Sequence, residues 1–279
     1  MSGEDQKVSE FQQTILSFYA VHGRELPWRE TTEVYPILVS ELMLQQTQVS
    51  RVVEKYTAFL EAFPTPKALL DASFTDVLGL WQGLGYNRRA QYVQNAAQLL
   101  VDTPAPGYEE LLAVTGVGPY TAAAVCVFAY NEDRSAVDVN VRRVHKRFFG
   151  REVDDSFIAR CVPTGRSREW HNALMDFGSL VCTKKAPGCS ECLLAGSCEA
   201  YATGSFVDEP TSSQPRFVGS VRWHRGRVLA YALKQPVSEE ELWGLLDERY
   251  RDKKKFLEAL KQLRKEGFIQ AGALVRVSQ

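Results

Sequence analysis

Residues 111–125 read LLAVTGVGPYTAAAV, and this stretch decides how the middle of the chain folds. The apolar residues before Gly116 have helical spacing, and Gly116 and Gly118 end that helix in a tight turn. Pro119 can begin a second helix, because the first helical position needs no N–H group. The stretch therefore predicts two helices joined by a two-glycine turn, which is a helix-hairpin-helix motif.

The predicted turn has a chemical use. A tight turn before a helix directs backbone N–H groups toward one point, where a DNA phosphate can bind without sequence readout. Gly116, Val117 and Gly118 are therefore candidate DNA-binding residues. A plain helical corner without a ligand would have the same sequence, so the motif alone leaves both interpretations open.

The rest of residues 8–200 also has helical periodicity, with apolar residues every three or four positions and no competing strand pattern. The predicted fold class is therefore all-α. The clearest helical segments are 8–21, 36–63, 74–80, 88–100, 108–113, 119–130, 139–149 and 169–180.

A second, smaller domain is predicted near the end of the chain. The polar, proline-containing stretch 205–216 predicts a linker between domains 1–204 and 217–279. Beyond it, helical patterns at 222–233, 238–246 and 252–266 precede a hairpin-like alternation at 267–277. Three helices followed by a hairpin predict a winged-helix-like module.

The overall charge of the chain neither indicates nor excludes a nucleic-acid partner. The 279 residues carry 33 Lys and Arg against 34 Asp and Glu, so any nucleic-acid surface has to be local. Basic residues concentrate at 142–147 and 253–265, where a solvated helix face is the alternative interpretation. The longest apolar run, 122–130, is too short to cross a bilayer, so we expect a soluble, cytoplasmic protein without a membrane partner.

Four of the six cysteines, Cys182, Cys189, Cys192 and Cys198, fall within one stretch of 17 residues. This distribution is typical of a metal-ligand set and not of a disulfide scaffold. Structural zinc sites usually contain two C-x2-C pairs, and this pattern contains one. The residues therefore favour a [4Fe-4S] cluster, with zinc as the alternative.

Two acidic residues are candidates for catalysis. Glu41 shares a predicted helix face with Leu38, Leu44 and Gln45, which suits either a desolvated acid with a raised pKa or an ordinary exposed glutamate. Asp138 precedes the helix predicted at 139–149, so it is either a catalytic anion or a simple N-cap.

Together these features resemble the MutY family of adenine DNA glycosylases, within the endonuclease III superfamily, over residues 8–204. The resemblance is carried by LPWR at 26–29, SELMLQQTQV at 40–49, WQGLGY at 81–86, GVG at 116–118, Asp138 and the four cysteines. It implies a two-lobed helix-hairpin-helix glycosylase with a [4Fe-4S] cluster. Such an enzyme acts as a monomer on double-stranded DNA containing a mismatch or an oxidised guanine.

The resemblance also implies a mechanism. A protonated Glu41 would deliver its proton to N7 of adenine while ionised Asp138 stabilises the sugar cation, and Tyr120 would hydrogen-bond within this group. Tyr120 stands where strand-cleaving members of the superfamily carry a Schiff-base lysine. We therefore expect a monofunctional glycosylase.

Further site residues follow from the same match. Leu26, Trp28, Arg29 and Asn172 are implied to line the base pocket, and Gln45 and Tyr86 to enter the opened duplex. The other implied DNA contacts are Gln46, Thr47, Arg142, Lys184 and Lys185.

The chain departs from the family pattern in three places. Val139 replaces a glycine after Asp138, and Asn172 replaces a glutamine that reads the adenine. About 65 residues follow the linker, too few for the Nudix-like domain with which longer members recognise 8-oxoguanine. A glycosylase for mispaired thymine or uracil is therefore an alternative. The alternative from another class is a DNA-damage binder or a redox-sensing cluster protein that has lost catalysis.

Overall fold

The computed structural model describes residues 2–206, 216–270, 272 and 274–278. These residues are mainly helical, so the predicted all-α class is confirmed. Residues 207–215 of the predicted linker 205–216 lie outside the described residues. No described helix is both long enough and apolar enough to cross a membrane.

The helices in chain order are α1 (Gly3–His22), α2 (Val34–Leu44), α3 (Val49–Ala62), α4 (Pro66–Asp71), α5 (Phe74–Trp81), α6 (Arg88–Asp102), α7 (Tyr108–Leu112), α8 (Pro119–Tyr130), α9 (Val139–Phe149), α10 (Asp155–Arg160), α11 (Ser167–Leu180), α12 (Glu199–Thr203), α13 (Val221–Ala232), α14 (Glu239–Leu245) and α15 (Lys253–Lys265). Short 3-10 turns occupy Pro27–Arg29, Cys189–Glu191 and Ala195–Ser197.

The sequence pattern locates many of these helix ends because the capping residues are recognisable. Ser220, Ser238 and Asp252 begin α13, α14 and α15, and each side chain accepts a hydrogen bond from a backbone N–H group three residues later. Helix α8 begins at Pro119, as its sequence predicts, and ends before Asn131 in a left-handed conformation.

The helix predicted at 36–63 is wrong as a single element. The structure divides it into α2 and α3, with a turn between Leu44 and Val49. Gln46 has a φ of 54°, which an α-helix does not allow. Helices α4, α10 and α12 were not predicted, because each has only five or six residues and presents too little periodicity.

The chain forms two compact units, and neither is one continuous segment. The first unit contains Met1–Leu42 and Leu99–Pro210, and the second contains Met43–Gln98 and Thr211–Gln279. The segment 43–98 thus groups with the end of the chain. The predicted domain boundaries at 204 and 217 remain a prediction.

In the first unit, α1, α9 and α11 enclose an aromatic core. Phe11 of α1 stacks on Phe148 with ring centroids 4.7 Å apart, and it meets Trp170 of α11 edge to face at 5.4 Å. Phe177 of α11 packs edge to face on Phe18 of α1. All five side chains are buried, so this cluster holds the three helices together.

A fully buried carboxylate joins the first unit's N-terminal segment to α11. Asp176 accepts hydrogen bonds from both terminal nitrogens of Arg29 at 2.8 Å and from the Nε of Arg24 at 2.7 Å. Burial opposes the charge, but the hydrogen bonds from Arg29 and Arg24 outweigh it and lower the pKa of Asp176. The acid is therefore ionised in the folded protein.

In the second unit, α13 packs against α15 around Phe256, Leu260 and Leu263. Strand β1 (Val237–Ser238) pairs antiparallel with β2 (Leu274–Val275), and Ile269 pairs with Val277. The predicted order of three helices and a hairpin is therefore found, with β1 as an addition. The winged-helix-like assignment itself remains a prediction.

We predict that Asp176→Asn strongly destabilises the protein. The substitution removes the charge that pairs with Arg24 and Arg29, and breaking a buried ion pair costs about 3–5 kcal/mol. The free energy of unfolding by urea measures the loss. Glu199→Gln is the control, because its half-exposed pair with Lys7 should contribute at most about 1 kcal/mol. Equal losses in the two variants would contradict this account.

Candidate active site and DNA-binding elements

Glu41 lies in the third turn of α2 with only 6% of its surface exposed. Ile37, Leu38 and Leu42 beside it are buried as well. Burial, together with the negative charge of Asp138, raises the pKa of Glu41 to about 8, although a hydrogen bond with Tyr120 acts in the opposite direction. Glu41 therefore keeps its proton at neutral pH, as a general acid must.

Tyr120 occupies the second position of α8, directly after the two-glycine turn. Its side chain hydrogen-bonds with Glu41. Burial, together with the charges of Glu41 and Asp138, raises the pKa of Tyr120 well above its usual value. The residue is therefore a neutral phenol.

Asp138 is the N-cap of α9. Its Oδ1 accepts hydrogen bonds from the backbone N–H groups of Asn140 at 2.8 Å and Val141 at 2.7 Å, and its Oδ2 accepts one from the Asn140 side chain at 2.8 Å. Three donors around one carboxyl group suit a carboxylate. Asp138 is therefore an N-cap, as one of the two interpretations predicted. It also lies close enough to Glu41 for its charge to raise the pKa of that residue.

The structure brings Glu41, Tyr120 and Asp138 into one group within the first unit. It pairs a protonated acid with a hydrogen-bonded anion, which is the arrangement that hydrolysis of a glycosidic bond uses. Their catalytic roles remain predictions.

Two residues that the sequence analysis missed hold Asp138 in place. Arg143 donates to the Asn140 side-chain oxygen at 2.8 Å and to the carbonyl of Cys182 at 3.0 Å. His171 of α11 accepts a hydrogen bond from the backbone N–H of Ala136, two residues before Asp138. The family pattern singles out Asn172 in this segment, whereas the neighbouring His171 makes the contact with the chain before Asp138.

The predicted base-pocket residues are buried. Leu26, Trp28 and Asn172 are each 8% exposed. Arg29 is also largely buried, and both of its terminal nitrogens bind Asp176. The structure therefore gives Arg29 a structural contact that the sequence did not predict, and the base-pocket roles remain predictions.

All four cysteines of the 182–198 loop line one cavity in the first unit. Val144, Phe148, Phe177 and Leu194 form apolar walls, and the terminal nitrogens of Arg147 bind the carbonyl groups of Thr183 and Lys184. Within the described residues, no three His, Cys, Asp or Glu side chains are close enough to hold a single metal ion. Four soft thiol ligands around one apolar cavity fit a multi-atom iron-sulfur cluster.

The helix-hairpin-helix turn has the predicted geometry. Gly116 has a φ of 94°, which favours glycine, and Gly118 is the N-cap of α8. Val117 is buried, and its N–H group binds the carbonyl of Val114 within the turn. The N–H group of Val117 is therefore used within the turn, and phosphate binding by residues 116–118 remains a prediction.

The remaining predicted DNA contacts of the first unit lie at its surface. Arg142 pairs with Asp155 and donates to the carbonyl of Val153. Lys185 is exposed, and Lys184 is half-buried beside Cys182. Phosphate binding by these three residues remains a prediction.

In the second unit, the predicted duplex-entering residues lie in two turns with unusual backbone conformations. Gln46 and Tyr86 have φ values of 54° and 47°, in the left-handed region that few residues other than glycine adopt. Tyr86 is 40% exposed. Gln45 and Thr47 flank Gln46 in the first of these turns.

One buried arginine holds both turns. Arg89 donates to the carbonyl of Met43 and the hydroxyl of Thr47 on one side, and to the carbonyls of Leu84 and Gly85 on the other. Burial lowers the pKa of Arg89 to about 10, so the side chain is still a cation at neutral pH. Apart from a basic residue shortly after WQGLGY, no sequence pattern indicates this role.

The profile described as HhH-GPD superfamily base excision DNA repair protein matches residues 39–157. The adenine DNA glycosylase of Mycobacterium tuberculosis is 36% identical over 259 residues, which cover 86% of this chain and 85% of the relative. The chain belongs to the adenine DNA glycosylase family.

Other members of the adenine DNA glycosylase family differ in length. The enzyme of Buchnera aphidicola is 34% identical over 205 residues, covering 68% of this chain and 58% of the relative. The human enzyme is 34% identical over 219 residues, which cover 70% of this chain but only 40% of the relative. The chain thus spans about half the length of these two family members.

Solved structures agree with the fold of the adenine DNA glycosylase family. A thermostable thymine-DNA glycosylase superposes with a TM-score of 0.68 and 27% identity, covering 72% of this chain and 100% of that one. Endonuclease III in a non-covalent DNA complex gives a TM-score of 0.63 at 21% identity, covering 73% and 99%. The second likeness bears on the fold alone.

We predict that Glu41→Gln stabilises the protein increasingly between about pH 5 and pH 8. The pKa of Glu41 is about 8 in the folded protein against an ordinary 4.5, so stability falls with rising pH across this window as the unfolded chain ionises. Glutamine has no such proton to lose. Melting temperatures of both proteins from pH 5 to pH 9 measure the divergence.

The exposed Glu61→Gln serves as the control, since it also replaces a helix glutamate. If it diverges from the parent protein as much as Glu41→Gln does, the buried proton is not the cause.

Proposed function

We propose that the chain is a monofunctional DNA glycosylase of base excision repair that removes adenine mispaired with 8-oxoguanine or guanine. The observation that carries this proposal is the buried Glu41 carboxyl, whose pKa is raised to about 8 beside Tyr120 and Asp138. Adenine leaves a sugar poorly as an anion, so its removal requires a group that holds a proton at neutral pH. The named activity of its family relatives supports adenine as the base.

In the proposed reaction, the target nucleotide leaves the stack and adenine N7 takes the proton of Glu41. The bond between N9 and C1′ then breaks, its electron pair stays on the adenine, and Asp138 stabilises the cation left on the sugar. A water molecule attacks C1′ and gives a proton back to Glu41. The products are free adenine and an unbroken strand with an abasic site.

The strand stays unbroken because Tyr120 cannot replace a lysine. A Schiff base with the sugar needs an amine, and the raised pKa of Tyr120 keeps it a phenol that hydrogen-bonds with Glu41. Its contribution is to orient the acid and not to attack the sugar.

The alternative substrate, mispaired thymine or uracil, is less well supported. Pyrimidines have no N7 to protonate, so their removal does not require the proton that Glu41 holds at neutral pH. The solved thymine-DNA glycosylase has a similar fold, but the adenine glycosylase of M. tuberculosis is closer in sequence, at 36% against 27% identity.

The four cysteines would hold a [4Fe-4S] cluster, whose chemistry is to cross-link the loop 182–198 through iron-thiolate bonds. We further propose that the protein acts in the cytoplasm as a monomer, with mismatched double-stranded DNA as its partner. Two of the solved structures with a similar fold are of endonuclease III with DNA, which supports DNA as the partner.

We predict base loss from one strand of A:8-oxoguanine and A:G duplexes. After incubation, strand breaks should appear only upon treatment with hot alkali. Glu41→Gln should lower the excision rate by about 10²- to 10⁴-fold, the usual contribution of a general acid, with duplex affinity nearly unchanged.

The same experiment includes duplexes with T:G and U:G pairs, which test the alternative substrate. The Glu61→Gln protein is the control variant and should retain the parent excision rate. Cleavage of T:G or U:G alone would establish the alternative, and breaks without alkali would exclude a monofunctional enzyme. Loss of binding in Glu41→Gln would make this residue structural.

We predict that the purified protein is brown, with roughly four iron atoms per chain. Cys192→Ser should remove the visible absorption, because it replaces a thiolate ligand. Cys126→Ala, a buried cysteine of α8 outside the loop, should retain the iron. A colourless protein with one zinc per chain would refute the cluster.

A further inference from the structure

A large groove in the second unit is not explained by the active-site chemistry. It has a volume of about 940 Å³, and its walls come from the turns at 45–46 and 82–89 and from helices α13 and α15. Six arginines line it: Arg51, Arg88, Arg89, Arg222, Arg225 and Arg227.

The groove is strongly positive. Among the residues of the groove lining that the structure describes, Glu266 is the one acidic residue, and it is paired with Arg225 at 2.6 Å and lies 3.5 Å from Arg88. Six guanidinium groups against one carboxylate create a local potential that the net charge of -1 for the whole chain conceals. The ligand that this groove fits is a polyanion.

Aromatic side chains stand at the same groove. Tyr86 is 40% exposed and Phe217 is 56% exposed, and Arg222 of α13 lies 3.4 Å from the Tyr86 hydroxyl. Arginines for phosphates and exposed rings for bases are the combination with which proteins bind nucleic-acid strands. The polyanion is therefore a nucleic acid.

A glycine inside α13 supports this assignment. Gly226 lines the groove, and a Cβ atom there would have no neighbour within 4 Å, so packing does not require a glycine. A helix-interior glycine costs about 1 kcal/mol relative to alanine. Its bare backbone lets a ligand approach the helix closely.

We propose that this groove binds the DNA strand opposite the excised adenine, with Arg222 and Arg227 of α13 holding its phosphates. This inference rests on the proposed function. A side chain that fills the gap left by an extruded nucleotide touches the base that remains, which belongs to the opposite strand. Tyr86 is the predicted filler and lies in the groove wall, so the groove continues from it along that strand.

The lysines of α15 are a matched control. Lys254 and Lys255 are exposed on the same module but do not line the groove. Replacing them removes the same charge as replacing Arg222 and Arg227. A general electrostatic effect would weaken DNA binding equally in both pairs.

The experiment measures duplex affinity across a salt series, with a target adenosine whose fluorinated sugar resists hydrolysis, opposite 8-oxoguanine. Arg222→Gln with Arg227→Gln should weaken binding about tenfold or more and lower the salt slope by roughly two, one for each lost phosphate contact. Lys254→Gln with Lys255→Gln should change little. Replacing both arginines by lysine should retain most of the slope, which separates charge from folding.

Neutral methylphosphonate linkages then identify the strand. Placed beside the 8-oxoguanine, they should weaken binding by the parent protein but not further weaken binding by the arginine-to-glutamine pair. If methylphosphonates in the adenine strand showed this pattern instead, the proposal would be overturned. Equal losses of duplex affinity in the arginine and lysine double variants would overturn it as well. Gly226→Ala should raise the melting temperature and reduce affinity, and unchanged affinity would also contradict the proposal.

These binding measurements do not depend on excision. If the parent protein binds with the expected coupling but releases no adenine, the proposed function fails and the groove assignment stands. If the parent protein releases adenine and the Arg222→Gln, Arg227→Gln variant binds DNA as tightly as the parent, only the groove assignment fails.

Discussion

The candidate active site depends on one electrostatic constraint: two neighbouring carboxyl groups in a mostly buried site cannot both be ionised at low cost. Asp138 has three N–H donors around it, whereas Glu41 has apolar neighbours and one phenol. The charge therefore stays on Asp138 and the proton on Glu41. This division of charge between Glu41 and Asp138 is built into α2, α8 and α9.

Local patterns predicted the parts of this site that depend on local structure. The two-glycine turn, the N-cap at Asp138 and the cysteine spacing are all readable because each requires particular residues at fixed separations. The pairing of Arg29 with Asp176 joins residues 147 positions apart, so no local pattern contains it. The break in the helix predicted at 36–63 was missed for the same reason, since Arg89, far along the chain, holds the left-handed turn at Gln46.

The departures from the family pattern have different structural weight. Val139 is 74% exposed at the start of α9 and has no left-handed φ, so a branched side chain fits there without strain. Asn172 is buried, and it lies between two residues with structural contacts: His171 fixes the segment before Asp138, and Asp176 one turn later anchors Arg24 and Arg29. A change at position 172 therefore acts on a helix whose position is already determined by its neighbours.

The cysteine loop and the candidate active site share one arginine, which connects the two structurally. Arg143 connects the Cys182 carbonyl to Asn140, and Asn140 in turn donates to Asp138. The path is short because Gly178 lets α11 approach α9, where an added Cβ would lie 3.0 Å from the Asn140 Cβ. A loop held by its four cysteines thus fixes the carbonyl that orients Arg143. The Asn140 side chain supplies one of the three hydrogen bonds on the Asp138 carboxylate, so a change in the loop reaches that carboxylate through hydrogen bonds alone.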